Sequence, residues 1–245
     1  MEELKNAEKL ESKISLLTLL KAGAHFGHKT SKWNPKMDEY IFTQRQGVHI
    51  IDLEKTRKKL EEALAFAQDV VSKKGVILFV GTKDQAKEAV SQAALKCGMP
   101  YITERWLGGT FTNFKIIYER IKKLRTLEED QSKGGFDKYT KREQMKFKEE
   151  IDKLNRFYEG VKNLSELPQA VFIVDVLKEK IVVKEAKRKN IPIVGLVDTD
   201  GDPEGIDYVI PGNDDALSSI QLICSAISEA IIKEKDKSQS NKVTK

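Results

Sequence analysis

The chain has 245 residues, 40% hydrophobic and 33% charged, and its 43 Lys and Arg against 38 Asp and Glu leave a net charge of +5. That length suits one large domain or a domain with an appendage, and a surplus this small does not by itself name a polyanionic partner. No apolar run approaches the roughly 18 residues of a membrane span, the polar start MEELKNAEKLESK does not read as a leader, and Cys97 and Cys224 read as buried thiols of a reducing, cytoplasmic compartment.

Residues 1–13 mix charges without an apolar face and read as a frayed start, followed by a short helix at Ser15–Leu20 that Gly23 ends. From Lys21 to Met37 there is no acidic residue; Lys21, His25, His28, Lys29, Lys32, Trp33 and Lys36 fall there. Tyr40–Phe42 and Val48–Ile51 are short strand-like runs around a Gly-containing turn, and Leu60, Leu64, Ala67 and Val71 give a helix over about 53–71. The continuous apolar run Val76–Val80 fits a strand covered on both faces, as in a parallel sheet. A helix over about 83–96 and a strand at Tyr101-Ile102 follow. Strands at 170–175, 192–197 and 208–210 alternate with helices at 178–189 and about 214–233. This alternation predicts an α/β fold with a mainly parallel sheet.

The middle breaks the rhythm. Phe114, Ile117, Ile121 and Leu124, then Phe147, Ile151, Leu154, Tyr158 and Val161, follow a seven-residue repeat on either side of Ser132-Lys133-Gly134-Gly135. The expected organisation is an N-terminal helix and basic extension (1–38), a discontinuous α/β domain (39–112 plus 162–235), an inserted antiparallel coiled-coil hairpin (113–161) and a disordered tail (236–245).

Several chemistries are weighed. Gly81-Thr82-Lys83 follows a strand, but a P-loop needs an earlier glycine, here replaced by strand residues. Asp198-Thr199-Asp200-Gly201-Asp202 also follows a strand and resembles the nucleophile motif of haloacid-dehalogenase-type phosphatases. It would place Mg²⁺ at Asp198 and Asp200 and make the chain a Mg²⁺-dependent phosphotransfer enzyme, the competing reading. Against it, the motif lies late in the chain and Asp202 stands where a threonine is usual; an Asp-rich turn is the simpler account. His25 and His28 lack the further Cys or His ligands of a zinc site. The nucleic-acid signal is stronger. The stretch Lys21–Lys36 interleaves cations with Phe26 and Trp33, suiting phosphate contact and base stacking. Arg45, Arg105 and Trp106 extend it, as do Lys122, Lys123, Arg125, Lys141, Arg142 and Lys146 of the helical insertion.

Leu20–His28, Trp33–Met37, Val48–Thr56, Phe79–Lys83, Arg105–Gly109 with Thr112-Asn113, Val197–Thr199 with Asp202-Pro203, and Ile210–Ala216 occur in one order and spacing over residues 15–232. This series resembles the bacterial-type small ribosomal subunit protein two family. Phe111 and Asp200 depart from the residues usual there, Leu and Asn. The resemblance implies a Rossmann- or flavodoxin-like sheet with a protruding coiled-coil hairpin and no catalytic residues or required cofactor. It implies a place on the solvent side of the small subunit between head and body, bound to small-subunit ribosomal RNA. It also implies neighbouring ribosomal proteins as partners, small-subunit protein one among them, with no membrane and no small-molecule substrate.

Overall fold

Two separate sheets organise the chain. The computed structural model describes residues 14–243, with side chains described to residue 238; the expectation for 1–13 lies outside the described residues. Helix α1 (Leu16–Lys21) starts at Ser15, whose hydroxyl accepts from the Thr18 N–H, and buries Leu19. Strands β1 (Phe26–Lys29), β2 (Ile41–Arg45) and β3 (Val48–Ile51) form an antiparallel sheet in the order β1-β3-β2. Gln46 and Gly47, both with positive φ (53° and 77°), make the two-residue turn between β2 and β3, the geometry that matches strand twist.

The main sheet is parallel. It contains β4 (Ile77–Val80), β5 (Tyr101–Ile102), β6 (Ala170–Val174), β7 (Ile193–Val197) and β8 (Tyr208–Pro211) in the order β5-β4-β6-β7-β8. The order 2-1-3-4-5 of these strands is the flavodoxin-like arrangement. Every residue of β4, β6 and β7 is buried, as the unbroken apolar runs require. One face packs against α2 (Leu53–Ser72), α3 (Asp84–Cys97) and α7 (Leu217–Val243) through Leu60, Val90, Ile223 and Ile227. The other packs against α6 (Lys180–Arg188) through Val182 and Ala186.

Helices α4 (Phe114–Ser132) and α5 (Lys141–Tyr158) pack together between β5 and β6 in sequence. Ile117, Ile121, Leu124 and Leu127 of α4 and Ile151, Leu154 and Tyr158 of α5 are buried, and this seam is continuous with the second core. Glu128 accepts from Asn155 and Lys162, tying the two helices. At their base, a Cβ at Gly160 would lie 2.2 Å from the Tyr101 carbonyl, so only glycine permits that approach.

Two expectations are corrected. Phe26–Lys29, taken as part of a basic extension, is a strand; its single large apolar residue gives no alternation, and pairing with β3 supplies what local propensity lacks. Helix α7 runs on to Val243, past the end expected near Lys233 and into the expected disordered tail, where Lys, Glu, Gln and Ser without Gly or Pro let the helix continue. Among the described residues, no helix is long and apolar enough to cross a membrane.

Candidate nucleic-acid interface

In a sheet of this order the ligand crevice of α/β proteins lies where strand order reverses, beyond the carboxyl ends of β4 and β6. Here the chain fills it itself. Lys83 Nζ lies 2.7 Å from Asp214 Oδ1, 2.5 Å from Asp215 Oδ1 and 3.4 Å from Asp175 Oδ2. The Thr82 N–H and hydroxyl both donate to Glu179. The groups a phosphate would use are thus already taken. Burial holds the Glu179 carboxyl above its ordinary range, and burial beside Asp175 and Asp198 does the same for Asp214. Asp175, Glu179, Asp198, Asp200, Asp214 and Asp215 share this edge with Lys83 and His28, a balance that repels phosphate.

The small sheet caps the same edge. Thr199, fully buried after β7, accepts from the His28 N–H through its hydroxyl (2.8 Å) and from the Asn34 N–H through its carbonyl (2.7 Å). Asn213 donates to the carbonyls of Gly23 and Ala24. A Cβ at Gly27 would sit 2.6 Å from the Thr199 side chain, so β1 reaches this depth only as glycine.

This docking divides the acid-free segment. His28 turns inward: Nδ1 lies 3.2 Å from Asp198 Oδ2, and Nε2 lies 3.2 Å from Asp215 Oδ2 and 3.6 Å from Asp200 Oδ2. Nδ1 is buried, and its approach to Asp198 is an ion pair without hydrogen-bond alignment. Contact with Asp198 raises the imidazole to about 9 against the opposing effect of burial, with Asp200 and Asp214 adding. Lys36 is bound to Asp202 and Glu204. His25 is partly buried against the Phe26 ring, and burial lowers its pKa. Trp33 packs on His49, ring centroids 5.1 Å apart, and is only half exposed. Lys21, Lys29, Lys32 and Arg45 are exposed and make no ion pair with any described residue.

The other expected contacts also divide. Arg105 is exposed, but Trp106 is 7% exposed and its indole N–H donates to Glu185. Trp106 cannot offer a face to a base, and its place in the expected interface is corrected. Arg125 donates to the Lys162 carbonyl, Lys123 pairs with Glu150, and Lys122 lies over the Tyr118 ring. Lys141, Arg142 and Lys146 are exposed on α5 and make no ion pair with any described residue.

Two arrangements escape sequence reading. His28, Asp198 and Asp200 each offer a ligand atom within 4.8 Å of the others; the two acids are the pair the sequence suggests for Mg²⁺, but the histidine lies 170 and 172 residues before them, so no local spacing adds it. One imidazole with two carboxylates suits a zinc-like ion better than Mg²⁺, which prefers oxygen alone. The second is Glu185, 6% exposed, which accepts from the N–H groups of Gly109, Phe111 and Thr112, the Thr112 hydroxyl and the Trp106 indole. Burial opposes its ionisation, but these donors outweigh it and hold the carboxyl below its ordinary range. A trace is visible in the sequence: Glu185 falls on the buried arc of α6 between Val182 and Ala186.

The sheet has closed its own ligand crevice, while Lys21, Lys29, Lys32 and Arg45 of the N-terminal segment face outward. Residues 19–234 match the family model described as Ribosomal protein S2. The chain belongs to the Ribosomal protein S2 family, structural proteins of the small ribosomal subunit.

Proposed function

We propose that the chain holds separated elements of small-subunit ribosomal RNA at a fixed spacing in the cytoplasmic ribosome. The observation that carries this reading is the division of the N-terminal cations: His28 and Lys36 fasten the small sheet to the acidic edge, and Lys21, Lys29, Lys32 and Arg45 face outward. A second basic surface, Lys141, Arg142 and Lys146, lies on the α4–α5 insertion, which we read as the coiled-coil hairpin of the family. Two contacts on one rigid body gain from effective concentration, so bridging is stronger than either contact alone. Neighbouring ribosomal proteins, small-subunit protein one among them, complete the set of partners. No cofactor is required. A divalent ion at His28, Asp198 and Asp200, Mg²⁺ or more fittingly a zinc-like ion, would have a structural role by tying β1 to β7.

The phosphotransfer reading finds no support in the geometry. Asp198 is 1% exposed and its carboxylate is taken up by the Thr199 N–H and hydroxyl, the Asp214 N–H and His28, so it presents no free nucleophile. The test is sedimentation of the purified chain with small subunits across a salt series. Association that weakens steeply with salt supports the proposal. Failure to associate even at low salt, together with hydrolysis of a phosphate ester that Asp198→Asn abolishes, overturns it.

A further inference from the structure

Helix α6 carries its charge differently from the helices on the other side of the main sheet. On α2, Arg57 pairs with Glu61 and Lys59 with Glu62, and Lys73 at its end pairs with Asp69; on α3, Lys87 pairs with Asp84. Mixed signs of this kind mark an ordinary solvated face. Along α6 and its flanks, Lys178, Lys180, Lys184, Lys187, Arg188 and Lys189 are all exposed, and none makes an ion pair with any described residue. The two acids of this stretch, Glu179 and Glu185, are buried and turned inward, one toward Thr82 and the other toward the 106–112 loop. Lys178 and Lys187 reach only the carbonyls of Thr82 and Glu204. Past Lys187, the exposed acids Asp202 and Glu204 are already held by Lys36.

Lys180, Lys184, Lys187 and Arg188 stand at i, i+4, i+7 and i+8, a single stripe opposite the buried Val182 and Ala186. Lys187 and Arg188 suit the negative end of the helix dipole, but Lys180 in the first turn is opposed by the positive end. Like charges at i, i+4 weaken a helix further. The stripe works against the helix that bears it. We propose that α6 lies along the phosphate backbone of a duplex segment of RNA. The inference rests on the ribosomal RNA reading above and adds a third contact to it. A polyanion turns the mutual repulsion of these cations into attraction, over about 12 Å of helix axis from Lys180 to Arg188. No aromatic residue occurs from Leu177 to Ile191, so the surface offers no ring on which an unpaired base could stack. Phosphates flanking the shallow groove of a duplex need only cations. Ile181, 56% exposed, is the one large apolar side chain left open on α6, whereas the core of a protein interface is apolar and poor in charge. Helix α6 covers the same face of the sheet as the buried seam of α4 and α5, so a duplex on it runs beside the root of that insertion. Glu185 holds Trp106 there, which brings the exposed Arg105 to the same margin.

The experiment uses the full chain, a blunt RNA duplex and a single strand of equal length, at low salt. Lysine acetylation read by mass spectrometry reports which amines each probe covers. The duplex should protect Lys180, Lys184 and Lys189 several-fold and leave Lys58, exposed on α2, as reactive as before. The combined variant Lys180→Gln, Lys184→Gln and Arg188→Gln keeps good helix formers. It should lower the salt slope of duplex binding by about three and melt at the same or a higher temperature. If the duplex binds while acetylation of α6 is unchanged, or if the variant melts markedly lower, the inference falls and RNA binding elsewhere stands. Equal protection by the single strand overturns the assignment to duplex. If neither probe binds at low salt, both readings fall. If the variant binds the duplex as before yet fails to join small subunits, the stripe serves a protein and the inference is overturned.

Discussion

The carboxyl edge of the main sheet and the outer face of the small sheet adjoin one another and treat charge in opposite ways. At the edge, Lys83 and His28 are enclosed by carboxylates, and each cation serves to hold those acids together. On the outer face, Lys29 and Arg45 stand beside Phe26 with no acid on their strands. A stretch without acids in sequence is therefore not a stretch without acids in space. The fold spends part of it on attachment and exposes the rest.

This contrast can be broken most directly at its buried end. Lys83→Met should destabilise the protein by about 3–5 kcal/mol, because Asp214 and Asp175 would lose their cation while remaining desolvated. Urea unfolding measures this, and a loss below about 1 kcal/mol would show the acids relaxing into solvent. Next in size is Glu185→Ala, expected to cost about 3 kcal/mol by orphaning several buried donors. Hydrogen exchange should quicken at Gly109, Phe111 and Thr112 ahead of the sheet. Because the folded-state pKa of Glu185 is depressed, its contribution is fully present above the ordinary Glu value and is lost as pH falls through the depressed one. Acidification should therefore loosen this loop in the native protein and leave Glu185→Gln indifferent. The smallest effects on stability belong to the surface. Lys29→Ala with Lys32→Ala should leave stability unchanged, weaken incorporation into small subunits and reduce the salt slope by about two. Lys36→Ala, whose partners are Asp202 and Glu204, should leave both nearly unchanged. If Lys36→Ala weakened incorporation as much as the double variant, the division between fastening and outward cations would be wrong.

Most of the fold is legible in the sequence because its signals are strong and local. Runs such as Ile77–Val80 and Ala170–Val174 admit little besides buried strands, and the seven-residue repeat marks the positions that α4 and α5 bury. The small sheet is less legible, since Phe26–Lys29 becomes a strand only through β3. The site is least legible of all. Trp106 looks like a stacking residue beside Arg105 until Glu185, from a helix 79 residues onward, is seen to hold its indole. His28 and Lys36 look like phosphate ligands until Asp198, Asp202 and Glu204 are brought to them. Partners so distant in the chain leave no periodicity to read.

Helix α7 carries a consequence for the order of folding. It contributes Ile220, Ile223, Ile227 and Ile231 to the first core, and its Lys235 side chain donates to the Cys97 carbonyl at the end of α3. Strands β4 to β7 and helices α2 and α3 are all synthesised earlier, yet one side of their sheet has no complete cover until residues 217–231 arrive. During translation this half of the protein waits with its apolar side unsatisfied, and contacts spanning so much of the chain form slowly. A protein destined for the ribosome thus closes its own interior only after the whole of its parallel sheet has been made.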